Sequence, residues 1–206
     1  MNNKFIDELI VRYPSLMNNY ESIENSCKLL IECFSSGGKL LCCGNGGSSA
    51  DCDHIVGELM KGFLKQRKLN KIEKNKFSDE FLANGLQNGL PALSLTSQSS
   101  VITAFSNDCE PALIFAQQVY SLGNKGDVLI ALSTSGNSEN VVYALKTAKS
   151  KELKTISITG KHGGECKKYS DLCIALPETQ TYKIQELTLP VYHCICATIE
   201  DYFYKE

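Results

Sequence analysis

Short apolar runs alternate with stretches of helical spacing along most of this chain. Lys39-Leu40-Leu41-Cys42-Cys43, residues 91–96, 128–133, 154–159 and 172–176 are predicted as strands, the first and third as apolar runs. Between them the apolar positions recur every three or four residues. The pattern predicts helices over Lys4–Arg12 and from Glu21 to about Phe34, where Ile23, Cys27, Leu30, Ile31 and Phe34 share one face. Further helices are predicted from Ala50 to about Phe63, from Pro111 to near Gly123, from Glu139 onward, and from about Lys183 to Tyr202. Strands alternating with helices imply an α/β protein with a five-stranded, mostly parallel sheet covered on both faces.

The 206 residues are 43% hydrophobic, which is enough for one substantial core, so residues 1–206 are expected to form a single domain. Within it, 1–36 supply N-terminal helices and 64–89 form a charged insertion. A net charge of −2 leaves no footprint for nucleic acid or an anionic membrane, and neither is expected as a partner. The N-terminal Met1-Asn2-Asn3-Lys4 lacks the apolar core of a signal peptide, and no run of about 18 apolar residues is present. The 10 cysteines are scattered, many within apolar runs, which reads as a reduced, cytoplasmic protein whose cysteines are small core residues. The insertion carries five lysines and one arginine between Lys65 and Lys76 against the single acid Glu73. It is expected to be a solvated excursion, with a lid over the site as the alternative.

Two loops carry the first chemical signal. Ser133-Thr134-Ser135-Gly136-Asn137-Ser138 lies between a strand and a helix and holds hydroxyls where helix-start amides and the macrodipole favour an anion. An ordinary N-cap turn is the bland alternative. Gly44-Asn45-Gly46-Gly47-Ser48-Ser49 follows another strand, and its glycines let the backbone approach a ligand. Its spacing matches neither the dinucleotide fingerprint nor a P-loop, so no nucleotide cofactor is expected. Two such loops at strand C-termini are expected to line one crevice and hold a phosphorylated small molecule.

Side chains suited to proton transfer are few. His54 and Glu58 are four apart on the helix leaving the glycine loop and share a face. His193 is one of three histidines and sits in the apolar final helix, downstream of Gln185 and Glu186. A core histidine is the alternative reading of such a position.

Gly44-Asn45-Gly46-Gly47-Ser48, His54-x-x-x-Glu58-Leu59, Ser106-Asn107-Asp108, Ser133 to Ser138, and Ile184-Gln185-Glu186 with His193 resemble, in this order, the sugar isomerase (SIS) domain, specifically the phosphoheptose isomerase group. The resemblance implies a flavodoxin-like three-layer α/β/α sandwich, a homotetramer with sites at subunit interfaces, and interconversion of sedoheptulose 7-phosphate and D-glycero-D-manno-heptose 7-phosphate through an enediol. By the same resemblance Glu58 is the base and His193 the partner acid. Ser48, Ser133, Thr134, Ser135 and Ser138 contact phosphate and hydroxyls, with Gly46 and Gly47 in the same cradle, while Asn45, Asp108 and Gln185 hold the sugar chain. Some members bind zinc through the positions of His54, Glu58, Gln185 and His193. Gln185 and His193 are eight residues apart, a rise of about 12 Å on an ideal helix, so one ion binding both needs a kink, for which Pro190 is placed, or two subunits.

The chain departs from the family pattern at Met60-Lys61-Gly62-Phe63, where glycine and arginine are usual, and at Tyr182-Lys183, where an acid and an arginine are usual. With only Arg12 and Arg67 available, an arginine clamp on phosphate requires Arg67 to fold back. An isomerase of another phosphosugar and a non-catalytic phosphosugar-binding regulator are the alternative readings.

Overall fold

A computed structural model describes residues 2–204. The chain enters through α1 (Lys4–Arg12), a 3-10 turn at Pro14–Asn19 and α2 (Tyr20–Ser35), then forms β1 (Leu40–Gly44) and α3 (Gly47–Met60). Two short helices, α4 (Lys71–Lys74) and α5 (Glu80–Gly85), precede β2 (Ala92–Ser94) and α6 (Ser99–Asp108). After a 3-10 turn at Pro111–Leu113 come α7 (Ile114–Leu122), β3 (Val128–Ser133), α8 (Glu139–Ser150), β4 (Lys154–Thr159), α9 (Gly164–Tyr169), β5 (Leu172–Ala175) and α10 (Thr181–Phe203).

The five strands form one parallel sheet in the order β2-β1-β3-β4-β5, the flavodoxin-like arrangement. Strand alternation divides the core. Leu40, Cys42, Val128, Ile130 and Leu132 face α1, α2, α3 and α10. Leu41, Cys43, Leu129 and Ala131 face α7, α8 and α9 on the other side. Both faces are therefore buried, which is why β1 and β3 read as unbroken apolar runs rather than as alternating ones. Buried Asp127 ties the starts of the two central strands, accepting from the Lys39 amide and ammonium and from the Asn124 amide.

Several expectations need adjustment. The helix after the glycine loop begins at Gly47, inside the loop, and ends at Met60. No helix is predicted over 99–108, yet α6 forms there; it buries none of its residues, and its serines and β-branched side chains are weak helix formers. Pro111 opens a 3-10 turn ahead of α7 rather than the helix itself. The final helix runs as one element through Pro190. All 10 cysteines are free, and burial pushes the Cys166 and Cys194 thiols up to about 12.

The 64–89 stretch is only partly the solvated excursion expected from its charge. Its tip exposes Ile72 and Phe81, but its neck is closed by a Lys68–Gln87 bridge and an Asn88 amide bonded to the Arg67 carbonyl. Arg67 itself is 5% exposed, because it folds inward to meet Glu200.

Candidate active site

In a parallel sheet of this order the chain leaves β1 and β3 in opposite directions, opening a crevice at their C-terminal ends. Both loops singled out in the sequence lie there, Gly44 to Ser49 after β1 and Ser133 to Ser138 after β3. A reciprocal pair of amide hydrogen bonds, Asn45 to Asn140 at 2.9 Å and back at 3.0 Å, fastens them together.

The β1 loop turns directly into α3, whose first-turn amides of Ser48 and Ser49 donate to the Asn45 and Gly46 carbonyls at 3.1 and 3.0 Å, at the helix end whose dipole favours an anion. Gly47 has a packing reason to be glycine: a Cβ there would lie 2.6 Å from Gln185 Nε2. Gln185 thus reaches from α10 onto the loop, while Ser48 is buried in the first turn of α3. In the β3 loop, Ser133 and Ser138 hydroxyls pair at 3.0 Å, and Ser135 Oγ accepts from the Asn137 amide at 3.1 Å. Thr134 is half-buried and Ser135 exposed. Gly136 takes φ 69°, and a side chain there would drive into the Gly163 carbonyl.

Farther along α3 the titratable groups gather. Glu58 Oε1 lies 3.1 Å from His54 Nε2, and Lys61 Nζ lies 3.4 Å from Glu58 Oε2. A carboxylate only accepts, so with Glu58 ionised the proton sits on Nε2 of His54. With the proton on Nε2, His54 Nδ1 accepts from the Tyr192 hydroxyl at 2.9 Å; Asp51 lies 3.3 Å from the same hydroxyl and competes for its single proton. Burial pushes the Asp51 carboxyl up. Burial and the acidic neighbour Asp51 also raise the Tyr192 phenol, so it stays protonated.

His193 packs edge-on against the His54 ring, with centroids 5.0 Å apart, and lies tilted by 39° against Phe63 at 5.4 Å. Its Nε2 is buried and has no hydrogen-bond partner among the described residues. Burial, followed by the neighbouring His54, holds its pKa below the usual 6.5 against the opposing pull of Glu58. His193 is therefore a neutral imidazole near pH 7, able to donate from one nitrogen.

These contacts fix how α3 and α10 lie together. Gln185 touches Gly47 and His193 touches His54, so the two helices run side by side in the same direction, about 10 to 12 Å between the contact points. Gln185 consequently belongs with the glycine loop and His193 with the His54–Glu58 pair. Asp108, at the end of α6, is exposed and accepts from Asn107 at 2.8 Å; no side-chain bond links it to the cluster. Sequence reasoning missed Tyr192, Asp51 and Asn140, whose roles depend on contacts between distant elements. It also left Arg67 open as a phosphate ligand, whereas its guanidinium is occupied by Glu200 and by the carbonyls of Glu58 and Leu59.

Among the described residues no three His, Cys, Asp or Glu side chains are placed to hold a metal ion. His54, Glu58 and His193 are nonetheless neighbours of suitable donor type, and the unpartnered Nε2 of His193 is an available ligand atom.

Hydroxyl-rich loops at the sheet's switch point, backed by an imidazole–carboxylate cluster on the adjoining helix, place the chain among SIS-domain proteins, and the SIS domain family profile matches residues 82–160. The phosphoheptose isomerase of Helicobacter pylori (strain P12) is 40% identical over 189 residues, 92% of this chain and 88% of that protein. The solved phosphoheptose isomerase of Neisseria gonorrhoeae superposes with a TM-score of 0.72 at 32% identity, covering 87% of this chain and 86% of that one. The Francisella tularensis phosphoheptose isomerase gives 0.73 at 29% identity, covering 97% and 96%. The chain belongs to the phosphoheptose isomerase family and is an isomerase.

Proposed function

We propose that this chain interconverts sedoheptulose 7-phosphate and D-glycero-D-manno-heptose 7-phosphate. The observation that carries the reading is the contiguity of Glu58, His54 and His193 on the helices that border both hydroxyl-rich loops. The phosphate is held by the Ser133–Ser138 loop and the start of α3, through amides and the hydroxyls of Ser48, Ser133, Thr134, Ser135 and Ser138 rather than by arginine. Asn45, Gln185 and Asp108 hold the open sugar chain.

Glu58 removes the proton from the carbon next to the carbonyl and returns it to the neighbouring carbon, passing through an enediol. His193 donates a hydrogen bond to the carbonyl oxygen as charge develops there. A neutral imidazole suits that task, since it gives a proton to the carbonyl oxygen and then takes one from the neighbouring hydroxyl oxygen, which becomes the new carbonyl. His54 orients the Glu58 carboxylate, and the Tyr192 hydroxyl fixes the His54 ring.

Zinc is part of the proposal. His54, Glu58 and His193 would hold it only after the His54 Nε2–Glu58 hydrogen bond opens and the three close together, and the ion would then polarise the sugar oxygens. Gln185 lies about two helical turns away in the same chain, beside Gly47.

A homotetramer is also proposed. Its support is that α6, which carries Asp108, buries nothing within its own chain, leaving a face for a second subunit to cover. We place the protein in the cytoplasm; no described helix is long and apolar enough to cross a membrane. Incubation with ketose and aldose phosphates of five to seven carbons tests the substrate assignment. Turnover fastest with the seven-carbon pair supports it, and preference for a shorter sugar overturns it. Light scattering tests the assembly, four subunits being expected and a monomer contradicting it.

A further inference from the structure

Arg67 is one of two arginines in the chain, and its buried guanidinium reaches three acceptors in three directions. Nε donates to Glu200 Oε1 at 2.7 Å, Nη1 to the Leu59 carbonyl at 2.6 Å and Nη2 to the Glu58 carbonyl at 2.9 Å. Glu200, 1% exposed, also accepts from the amides of Phe63 at 2.8 Å, Leu64 at 2.7 Å and Lys65 at 3.2 Å. Arg67 aims inward from a backbone at φ 45°, a region that non-glycine residues seldom occupy.

One buried ion pair therefore sets both halves of the acid–base site. The guanidinium grips the main chain of Glu58 itself, at the helix end where carbonyls lack intrahelical partners and a cation is favoured, sharing the Leu59 carbonyl with the Leu90 amide. The carboxylate folds the turn after α3, and that turn delivers Phe63 onto the His193 ring. Charge alone does not account for the arrangement, because a buried ion pair is often no better for stability than apolar side chains of similar volume. A planar fork reaches the three acceptors from three separate nitrogens, whereas the donors of an ammonium all radiate from one atom.

We propose that Arg67 and Glu200 are positioning residues for the isomerisation, acting through the main chain of Glu58 and through Phe63 on His193, without touching the sugar. This rests on the isomerase reading of the site. Arg67→Lys keeps the charge but offers a single ammonium that cannot span the three acceptors. In a folded Arg67→Lys protein kcat is expected to fall at least about tenfold while KM stays within about threefold, since small misplacements of a reacting group cost rate rather than binding. A kcat within about twofold of the unsubstituted chain overturns the proposal. The double variant Arg67→Met/Glu200→Gln removes both buried charges and is expected to regain the melting temperature lost in Arg67→Met without regaining kcat. Recovery of kcat together with melting temperature would reduce the pair to a stabilising contact and overturn its positioning role. The unsubstituted chain is assayed alongside: its inactivity would refute the isomerase reading, a result distinct from failure of the clamp.

Discussion

His54 Nε2 lies 3.1 Å from Glu58 Oε1, one turn along α3, and its other ring nitrogen is held by Tyr192 from α10. The carboxylate proposed as the base is thus oriented by a histidine that is itself oriented from a second helix. Tyr192→Phe removes the hydroxyl that fixes this ring and leaves the aromatic packing in place. A fall of about tenfold in kcat is expected, within the range that orienting a general base contributes. Steady-state kinetics on the folded variant check it, and an unchanged kcat would show that Tyr192 does not orient His54.

The lowered pKa of His193 makes stability depend on pH in a defined direction. Burial and His54 disfavour its cation in the folded chain, so the unfolded chain takes up this proton first as pH falls. The folded state accordingly loses stability as pH drops below the ordinary histidine value of 6.5, and the penalty is absent above it. His193→Gln cannot take up this proton. Urea unfolding at about pH 7 and about pH 5 is expected to show a larger loss for the unsubstituted chain than for the variant.

Gly47 and Gly136 are both crowded, by different kinds of neighbour. A methyl at Gly47 meets the end of the flexible Gln185 side chain, which can swing away, so Gly47→Ala is expected to cost about 1 kcal/mol or less. Its larger effect is a raised KM, because Gln185 leaves the loop. At Gly136 the obstacle is the Gly163 backbone and φ is positive, so Gly136→Ala is expected to lose about 2 kcal/mol or more. Denaturant midpoints and KM for the two variants separate these outcomes.

Metal removal addresses the zinc proposal directly. Dialysis against a chelator is expected to lower the melting temperature, and zinc is expected to restore it, since an ion bound only by the folded chain stabilises by mass action. A protein that purifies without metal, with full activity and an unchanged melting temperature, would remove zinc from the account and leave the roles of Glu58 and His193 untouched.

Much of the architecture was legible because β1 and β3 are buried on both sides and so appear as nearly unbroken apolar runs, while β4 shows its isoleucines at alternate positions. The Ser133–Ser138 and Gly44–Ser49 loops stood out for a related reason, since hydroxyls and glycines directly after such strands have few structural uses. Helix α6 was not legible, because it buries nothing and opens on serines and β-branched residues that are weak helix formers. The inward fold of Arg67 was hidden as well. Its local sequence is a lysine-rich surface stretch, and the partner that draws it in, Glu200, is 133 positions away. The alignment of α3 with α10 depends on Gln185 meeting Gly47, a contact that spacing within either helix does not reveal.

The central claim is that Glu58 moves the proton between adjacent sugar carbons. The most direct measurement compares the unsubstituted chain with Glu58→Gln on sedoheptulose 7-phosphate, following aldose formation and, by calorimetry, sugar-phosphate binding. Turnover by the unsubstituted chain, reduced about 10²- to 10⁴-fold or more in Glu58→Gln with binding largely intact, is the expected result. Undiminished turnover in Glu58→Gln would contradict the account.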